Sequence, residues 1–312
     1  MKIITSLENL NIDEKTSIAL GNFDGVHIGH QKIMENALDA ADGSMQTLCF
    51  TFSNHPFNFI MDRDVTDPAA VKLICSEEDK IELIEGMGFD ILVNVPFDET
   101  IMTMRAHEFF KSILIDKLNA GHISVGFNYT YGARAEGKTD MLIEQCAEAG
   151  IGINVQDAVM VDDKVVSSTL IREMIKEGNM ELACRYLGRP LTYSGVVEHG
   201  RKLGSANGIP TANIPVHDSR MAPPNGVYFT RAIVAGKEYA AVSNIGFKPT
   251  VQKTGGRSIE TNLFDFDGEL YGNKIKVLFD HFSRPEVKFG SKDELFDQIR
   301  KDCSNAKDYY KK

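Results

Sequence analysis

The pattern of hydrophobic and polar positions divides the chain into two parts. In the first part, short apolar runs typical of buried strands alternate with amphipathic segments typical of helices. The strand-like runs are TSIAL, QTLCFTF, FDILVNVPF, HISVGF and IGINVQ, and the helix-like segments are HQKIMENALDAADG, SEEDKIELIEGMG, TMRAHEFFKSILI and TDMLIEQCAEAG. This alternation predicts an α/β fold with a doubly wound parallel sheet covered by helices on both faces.

Local signals predict where these helices begin and end. Ser76 stands three residues before Asp79, and this capping-box spacing predicts a helix start. Gly86 or Gly88 is predicted to end that helix, and Gly43 to end the helix before it. Two shorter helical segments, STLIREMIKEGN and MELACRYLG, follow the last strand of this part.

The pattern changes at the segment LGRP, which begins at Leu187. The β-rich runs that follow are TYSGVVEHG, NGVYFTRAIVAG, KEYAAVSNIG, RSIETNLFDF and NKIKVLF, and the chain closes with the helical segment SKDELFDQIRKD. Strands at this spacing, with little helix between them, predict an antiparallel β-barrel or sandwich with a terminal helix. We therefore predict two domains, residues 1–187 and 188–312.

Composition narrows the range of functions. A net charge of -10, a pI of about 5.3 and the lack of a basic run beyond the terminal Lys-Lys disfavour nucleic acid as a partner. No run approaches the ~18 apolar residues of a membrane span, and the charged N-terminal segment differs from a signal peptide. The five cysteines are scattered and form no CxxC pair, which favours reduced thiols. We expect a cytoplasmic protein that acts on a small molecule, and the sequence sets no oligomeric state.

The stretch GNFDGVHIGH, residues 21–30, is the first candidate for chemistry. It lies between a predicted strand and a predicted helix, where doubly wound sheets bind ligands. Its glycines allow close backbone approach, and the free N–H groups of a helix N-terminus suit a phosphate. His27 and His30 can both face one ligand and donate hydrogen bonds to the charge that grows in phosphoryl or nucleotidyl transfer. The alternatives are a surface histidine pair and a zinc site, for which no third ligand stands at a usual spacing.

Two motifs carry a first resemblance. Residues 21–30 resemble the signature of the HxGH nucleotidylyltransferase superfamily, and VSSTLIR, residues 166–172, is similar to its ISSTxIR motif. A Ser-Ser-Thr run alone is an ordinary helix cap, but both motifs in this order are more specific. The resemblance implies a Rossmann-like first domain in which His27 and His30 are catalytic. The ATP and phosphate-binding residues that it implies are Gly21, Asn22, Phe23, Asp24, Gly29, Ser168, Thr169 and Arg172, the last of these neutralising pyrophosphate charge.

A competing motif lies in the middle of the α/β region. The segment GARAEGKT, residues 132–139, satisfies the P-loop pattern and predicts an NTPase that uses Lys138. Such short patterns match by chance, and this one does not follow the first strand of the sheet. The surrounding VGFNYTYGARAEGKTDML resembles the family segment VGxDFxFGxxxxGxxxxL instead. That resemblance implies that Asn128 takes part in nucleotide or flavin binding.

Two segments of the second part carry a further resemblance. GIPTANI resembles the PTAN motif of riboflavin kinases, which implies that Thr211 and Asn213 hold Mg²⁺ together with ATP phosphates. These side chains point to the same side of an extended segment, and hard oxygen ligands suit Mg²⁺. IETNLFDFDGELYG resembles the kinase segment with the catalytic glutamate, which implies that Glu260 is the general base acting on the ribityl 5′-hydroxyl. Ser205 stands where the family usually has an arginine before PTAN.

Together the resemblances extend from about Ile18 to Asp302. They are to the bacterial bifunctional riboflavin kinase/FMN adenylyltransferase family, also called FAD synthetases. The resemblance implies ATP-dependent phosphorylation of riboflavin to FMN, then adenylylation of FMN to FAD with release of pyrophosphate. The expected partners are riboflavin, FMN, FAD and ATP, without nucleic acid or membrane.

Other functions remain open on the sequence alone. Ser205 leaves open an enzyme that only adenylylates FMN, with a silent kinase domain. A flavin-binding regulator without turnover is disfavoured by the presence of His27, His30, Arg172 and Glu260. A tRNA-charging enzyme, which can also carry an HxGH motif, is disfavoured by the acidity of the chain.

Overall fold

The chain forms two compact units, each with its own sheet. The structure is a computed structural model, and it describes residues 1–198, 211–247 and 256–311. The units comprise Met1–Ser168 and Thr169–Lys312. This division falls before the two helices at 168–187, which the sequence analysis places in the first domain. The serine in place of the family arginine, Ser205, lies outside the described residues.

The sheet of the first unit is parallel, as predicted, and it has six strands, one more than the five predicted runs. The strands are β1 (Lys2–Ile4), β2 (Thr16–Leu20), β3 (Gln46–Phe52), β4 (Ile91–Val95), β5 (Ala120–Gly126) and β8 (Gly152–Gln156). Two hairpins lie outside this sheet, β6 (Thr130–Tyr131) with β7 (Gly137–Lys138) and β9 (Met160–Val161) with β10 (Lys164–Val165). The strand order is β1-β4-β3-β2-β5-β8.

The strand order of this sheet reverses at β2. From β2 the chain adds β3 and β4 on one side, and it then crosses to the other side for β5 and β8. Ligands of such sheets bind at the carboxyl ends of the strands where the order reverses. The glycine turn of residues 21–26 directly follows β2 and therefore lies at this reversal point.

Helices cover both faces of the sheet. They are α1 (Ile28–Ala41), α2 (Pro56–Ile60), α3 (Glu77–Gly86), α4 (Glu99–Thr103), α5 (Ala106–Glu108) and α6 (Thr139–Ala149). A π-helix, Phe109–Lys117, continues α5, and a 3₁₀ turn covers Ala133–Ala135. One core lies on each face, because alternate strand residues point to opposite sides, as Leu48 and Cys49 do. The predicted cap of α3 is confirmed, since Ser76 Oγ accepts from the Asp79 N–H over 3.1 Å.

The second unit combines helices with an antiparallel, nearly closed barrel, as predicted. Helix α7 (Ser168–Glu177) leads into it, followed by α8 (Met180–Leu187), and α9 (Lys292–Tyr310) ends it. The strands are β11 (Leu191–Val196), β12 (Ala212–Pro215), β13 (Gly226–Val234), β14 (Lys237–Phe247), β15 (Arg257–Leu263) and β16 (Lys274–Arg284). Their order is β11-β16-β13-β14-β15-β12. A bridge from Glu198 to Asn213 links the two outer strands, with the Glu198 N–H donating to the Asn213 carbonyl over 2.9 Å.

Polar contacts stabilise the barrel and its terminal helix. The hydroxyls of Thr230, Ser243 and Thr261 are buried and form a chain of hydrogen bonds of 2.8 Å across three strands. Arg284 on β16 binds both carboxylate oxygens of Asp302 on α9, and Asp302 is 4% exposed. Within the described residues, no helix is long and apolar enough to cross a bilayer.

Candidate functional site

The turn between β2 and α1 has an unusual backbone. Gly25 has φ 81°, and two residues with side chains, Phe23 at 49° and Val26 at 40°, also lie in the left-handed region. A β-branched residue such as Val26 rarely adopts this conformation. Strained backbones of this kind persist only where their surroundings fix them, and they concentrate at functional sites.

Two glycines of the motif make room for aromatic rings. A Cβ on Gly21 would lie 2.7 Å from the ring of Phe23, and a Cβ on Gly29 would lie 3.2 Å from the imidazole of His27. The edge of Phe23 in turn packs against the ring of His30, with the ring centres 5.3 Å apart. The glycines therefore allow these rings to pack together at the start of α1.

His27 is the N-cap of α1. Its Nδ1 accepts from the His30 N–H over 3.2 Å, so in the neutral imidazole the proton is on Nε2. Its ring stacks on that of His30, with centres 3.5 Å apart and planes 19° apart. His27 is 5% exposed and His30 is half-buried. The helix cap thus fixes the tautomer and leaves the Nε2 proton as the donor that the ring offers.

Other segments hold the turn through its carbonyl and carboxylate groups. Thr51 Oγ1 donates to the Asn22 carbonyl over 2.9 Å. The Ile74 N–H donates to Asp24 Oδ1 over 3.0 Å, and Ser168 Oγ donates to the Asp24 carbonyl over 2.9 Å. The structure thereby brings the predicted residue Ser168 next to the glycine turn, although the two are far apart in sequence.

A small cleft adjoins the turn. Its volume is about 20 Å³, room for about one water molecule. The lining residues come from the turn, the end of β3 and the start of α3; they are Asn22, Asp24, Phe52, Ser53, Asn54, His55, Pro56, Leu73, Cys75, Ser76, Glu77 and Lys80. Lys80 is 7% exposed, and burial lowers the pKa of its ammonium, although Asp24 and Glu77 act in the opposite direction.

The other residues predicted to bind nucleotide or phosphate in adenylyl transfer lie in three places. Asn128 is exposed in the loop after β5, the strand beside β2. Thr169 is exposed in the first turn of α7, within the second unit. Arg172 is half-buried on α7, four residues after Ser168 and therefore on the same helix face.

The predicted residues of the second unit share one face of the barrel wall. Asn213 on β12 lies directly opposite Glu260 on β15, and Glu260 lies opposite Asn244 on β14. Directly opposite residues of antiparallel strands project to the same side, and Thr211, two residues before Asn213, follows the same alternation. Asn213 is 5% exposed, whereas Glu260 is exposed. Asn244 could not be predicted from the sequence, because its position beside Glu260 depends on the pairing of strands.

The side chains on this face offer oxygen atoms as metal ligands. Asn213 Nδ2 donates to the Thr211 carbonyl over 3.4 Å, which leaves Oδ1 as the outward acceptor of the amide. In the described ranges, no three His, Cys, Asp or Glu side chains come together as a metal-binding group. A hydroxyl and an amide oxygen suit Mg²⁺, which is held by few protein ligands together with substrate phosphates.

Comparison with known proteins identifies both units. Residues 9–170 match the FAD synthetase family model, and residues 187–310 match the riboflavin kinase model. A bifunctional riboflavin kinase/FMN adenylyltransferase of Bacillus subtilis is 38% identical over 95% of this chain and 93% of its own length. Another from Listeria monocytogenes is 34% identical over 100% of this chain and 99% of its own length. The chain belongs to the bifunctional riboflavin kinase/FMN adenylyltransferase family.

A solved structure has the same fold over the whole chain. It comes from Streptococcus pneumoniae and is described as a macrolide-efflux protein. It is 28% identical to this chain, and the match covers 98% of this chain and 98% of the solved one. The two superpose with a TM-score of 0.86. The efflux description applies to that protein. The relatives that match this chain at higher identity are named for the two flavin reactions of the family.

The family membership accounts for the competing P-loop pattern, and the structure shows why that segment is a poor phosphate site. Residues 132–138 lie in the β6–β7 hairpin, and a Cβ on Gly132 would lie 2.6 Å from the backbone of Ala106. Glu136 accepts from Arg105 Nε and the Ala106 N–H, each over 2.7 Å. Lys138 is exposed at the end of this hairpin. The loop packs against protein where a P-loop would surround phosphate.

The structure adds two side chains that the sequence analysis missed, Thr51 and Lys80. Both are buried beside the glycine turn. Lys80 lies four residues before the buried Ile84 on α3, and this spacing is the only sequence signal that it faces the sheet. Thr51 gives no signal of its own, because it is one more residue of a buried strand.

Proposed function

We propose that this chain makes FAD from riboflavin in two ATP-dependent steps, one in each unit. The observation that carries the proposal is the presence of both family regions on one chain, residues 9–170 and residues 187–310. An enzyme that only adenylylates FMN is the weaker alternative, because the riboflavin kinase match covers residues 187–310 and the relatives are bifunctional over their full length.

The kinase step would use the shared face of β12 and β15. Glu260 would accept the proton of the riboflavin 5′-hydroxyl as its oxygen attacks the γ-phosphorus of ATP, and ADP would leave. Thr211 and Asn213 would hold Mg²⁺ by their oxygens, and the ion would neutralise charge on the ATP phosphates. Asn244, opposite Glu260, is placed to orient the carboxylate or the hydroxyl.

The adenylyl transfer would take place at the glycine turn. A phosphate oxygen of FMN would attack the α-phosphorus of ATP, and the bond to the departing pyrophosphate would break, with no covalent enzyme intermediate. His27 and His30 would donate hydrogen bonds to the charge that grows on the phosphate oxygens. The N-terminus of α1 adds a positive dipole end at the same place.

We infer the phosphate-binding roles of the other residues from the resemblance of their motifs to those of the family. The turn residues Gly21 to Asp24, with Gly29, would let the triphosphate approach the backbone. Asn128 would contact the nucleotide or the flavin, Ser168 and Thr169 would bind phosphate at the start of α7, and Arg172 would balance the charge of pyrophosphate. The five cysteines are all free thiols, which supports a reducing compartment, the cytoplasm, as the site of action.

Separate assays of the two half-reactions test the proposal. The purified chain is incubated with Mg²⁺, ATP and either riboflavin or FMN, and ADP and pyrophosphate are measured alongside the flavins. We expect one ADP per FMN formed and one pyrophosphate per FAD formed, with both reactions lost on chelation of the metal. Conversion of FMN to FAD without conversion of riboflavin to FMN would favour the alternative, an enzyme that only adenylylates FMN. Flavin binding without either product would favour a regulator.

A further inference from the structure

Lys80, a buried lysine of α3, contacts the end of β3. It is not one of the residues to which a role has been given above. The ammonium of Lys80 donates to the Phe52 carbonyl over 2.6 Å, and Thr51 Oγ1 lies 3.5 Å away, at the long limit of a hydrogen bond. Among the described residues, both hydrogen-bond acceptors of this ammonium are neutral. Burying a cation without a carboxylate in direct contact is costly to stability. We therefore expect the buried charge of Lys80 to serve a neighbouring group.

Thr51 connects this ammonium to the glycine turn. Its hydroxyl has one proton, which it donates to the Asn22 carbonyl over 2.9 Å. The lone pairs of the hydroxyl therefore remain for Lys80. A cation beside a hydroxyl polarises it and strengthens the hydrogen bond that the hydroxyl donates. Lys80, Thr51 and Asn22 thus form a chain of contacts that leads from α3 to the turn.

The turn needs such support because of its conformation. Phe23, directly after Asn22, and Val26 both lie in the left-handed region, with φ 49° and 40°. A backbone of this kind relaxes unless contacts on both sides hold it. His27 follows Val26 directly, so movement of the turn would move the imidazole and its Nε2 donor.

We propose that Lys80 is a positioning residue for adenylyl transfer, acting through Thr51 to hold the Asn22 carbonyl and thereby the turn that carries His27. The inference rests on the proposed adenylyltransferase function. Direct binding of a substrate phosphate by Lys80 is the less favoured role, because its ammonium already donates to the Phe52 carbonyl over 2.6 Å and the adjoining cleft has a volume of only about 20 Å³.

Substitutions at both ends of the contact test the proposal. Lys80→Met removes the ammonium and keeps the apolar stem. Thr51→Val removes the hydroxyl at nearly constant volume, and Thr51→Ser keeps it. Lys111→Met makes the same change as Lys80→Met at a lysine whose side chain is 59% exposed in the same unit. Each variant, and the double variant of Lys80→Met with Thr51→Val, is assayed for kcat and for the KM values of FMN and ATP.

The proposal predicts a fall in kcat with little change in either KM. Lys80→Met and Thr51→Val should each lower kcat for FAD formation about tenfold or more, as small misplacements of reacting groups do. The double variant should resemble the single variants, because both break one chain of contacts. Thr51→Ser and Lys111→Met should keep wild-type kcat. The thermal midpoint should stay within about 3 °C, and FMN formation from riboflavin should be unchanged in every variant.

Several results would overturn the positioning role. They are wild-type kcat in both Lys80→Met and Thr51→Val, a double variant whose loss is the product of the single losses, and a Thr51→Ser variant as slow as Thr51→Val. A rise in KM for FMN alone or for ATP alone, at constant kcat, would show that Lys80 contacts that substrate. If Lys80→Met fails to fold, the two Thr51 variants decide the matter. Failure of the unaltered protein to form FAD would instead refute the proposed function.

Discussion

His27 shows how one side chain can serve the fold and the proposed chemistry at once. Its Nδ1 caps α1 by accepting the His30 N–H, and this contact leaves the proton on Nε2. Asparagine is also a good N-cap residue and offers a comparable acceptor, but it lacks the imidazole. The cap and the proposed catalytic hydrogen-bond donor can therefore be separated by substitution.

We predict that His27→Asn and His27→Ala differ in stability but not in activity. Both should lower FAD formation from FMN by about 100-fold or more, the usual cost of removing a donor to developing charge. Only His27→Ala should also lose about 1 kcal/mol of stability, because the cap is lost. Initial rates by chromatography and thermal melts measure the two effects. Near-normal FAD formation by His27→Asn would show that the cap, and not the imidazole, is what the site requires.

Glu260 should control the other reaction alone. Glu260→Gln keeps the size of the side chain and removes the base, so FMN formation from riboflavin should fall by about 100-fold or more. FAD formation from supplied FMN should be unchanged. Glu238→Gln, at a partly exposed glutamate on β14, is the matched control and should leave both rates unchanged. Equal loss of both reactions in Glu260→Gln would contradict the separation of the two sites.

At the scale of elements, α9 depends on one buried ion pair. Asp302 accepts hydrogen bonds from Arg284 on β16 and from Gln298 within the helix, while its own side chain is 5% exposed. Asp297 on the same helix pairs with Arg300, but these side chains are 74% and 66% exposed. Removing one partner of a buried ion pair costs far more stability than removing one partner of an exposed pair, because the other charge is left buried without its partner.

We predict that Asp302→Asn loosens α9 and that Asp297→Asn does not. Loss of the buried pair should lower the free energy of local opening by about 2 kcal/mol. Amide hydrogens of α9 would then exchange roughly thirtyfold faster, as hydrogen-exchange mass spectrometry can measure. Asp297→Asn should change that free energy by less than about 0.5 kcal/mol. Equal exchange rates in both variants would show that apolar packing alone holds the helix.

The elements that the sequence predicted are those with a long, regular pattern. The strands TSIAL and QTLCFTF match β2 and β3 residue for residue, and the β-rich runs of the second part are strands of the barrel. The elements that the sequence analysis missed are short. Helices α2 and α4 have five residues each and β1 has three, so their stability comes from tertiary contacts.

One helix was predicted with the wrong geometry. In the segment TMRAHEFFKSILI, Thr103 is the last residue of α4, the chain is helical again from Ala106, and after Glu108 it continues as a π-helix, Phe109–Lys117. Hydrophobic periodicity does not distinguish these two helical forms over nine residues. The buried side of the segment, which includes Phe109, Phe110 and Leu114, was nevertheless evident from its apolar residues.

Contiguous motifs could be found in the sequence, but contacts between distant segments could not. The glycine turn with His27 and His30 was evident because its residues are adjacent. The support from Thr51 and Lys80 was not, because a lysine is normally exposed and its burial depends on the Phe52 carbonyl, which only the fold brings near. The predicted binding and catalytic roles themselves remain to be tested.

At the scale of the whole molecule, the chain joins two unlike folds whose reactions share FMN. The parallel sheet of the first unit places the glycine turn at its reversal point, and the barrel of the second unit places Glu260 between two asparagines. FMN is the product of one proposed reaction and the substrate of the other. A single chain would therefore complete the route from riboflavin to FAD with ATP as the other substrate.

The most direct test is a time course from riboflavin. The purified chain is incubated with riboflavin, ATP and Mg²⁺, and the flavins are separated by chromatography at intervals. We predict that FMN appears first and then declines as FAD accumulates. Unchanged riboflavin, while separately supplied FMN is converted to FAD, would contradict the two-step function, and so would a lack of conversion of either flavin.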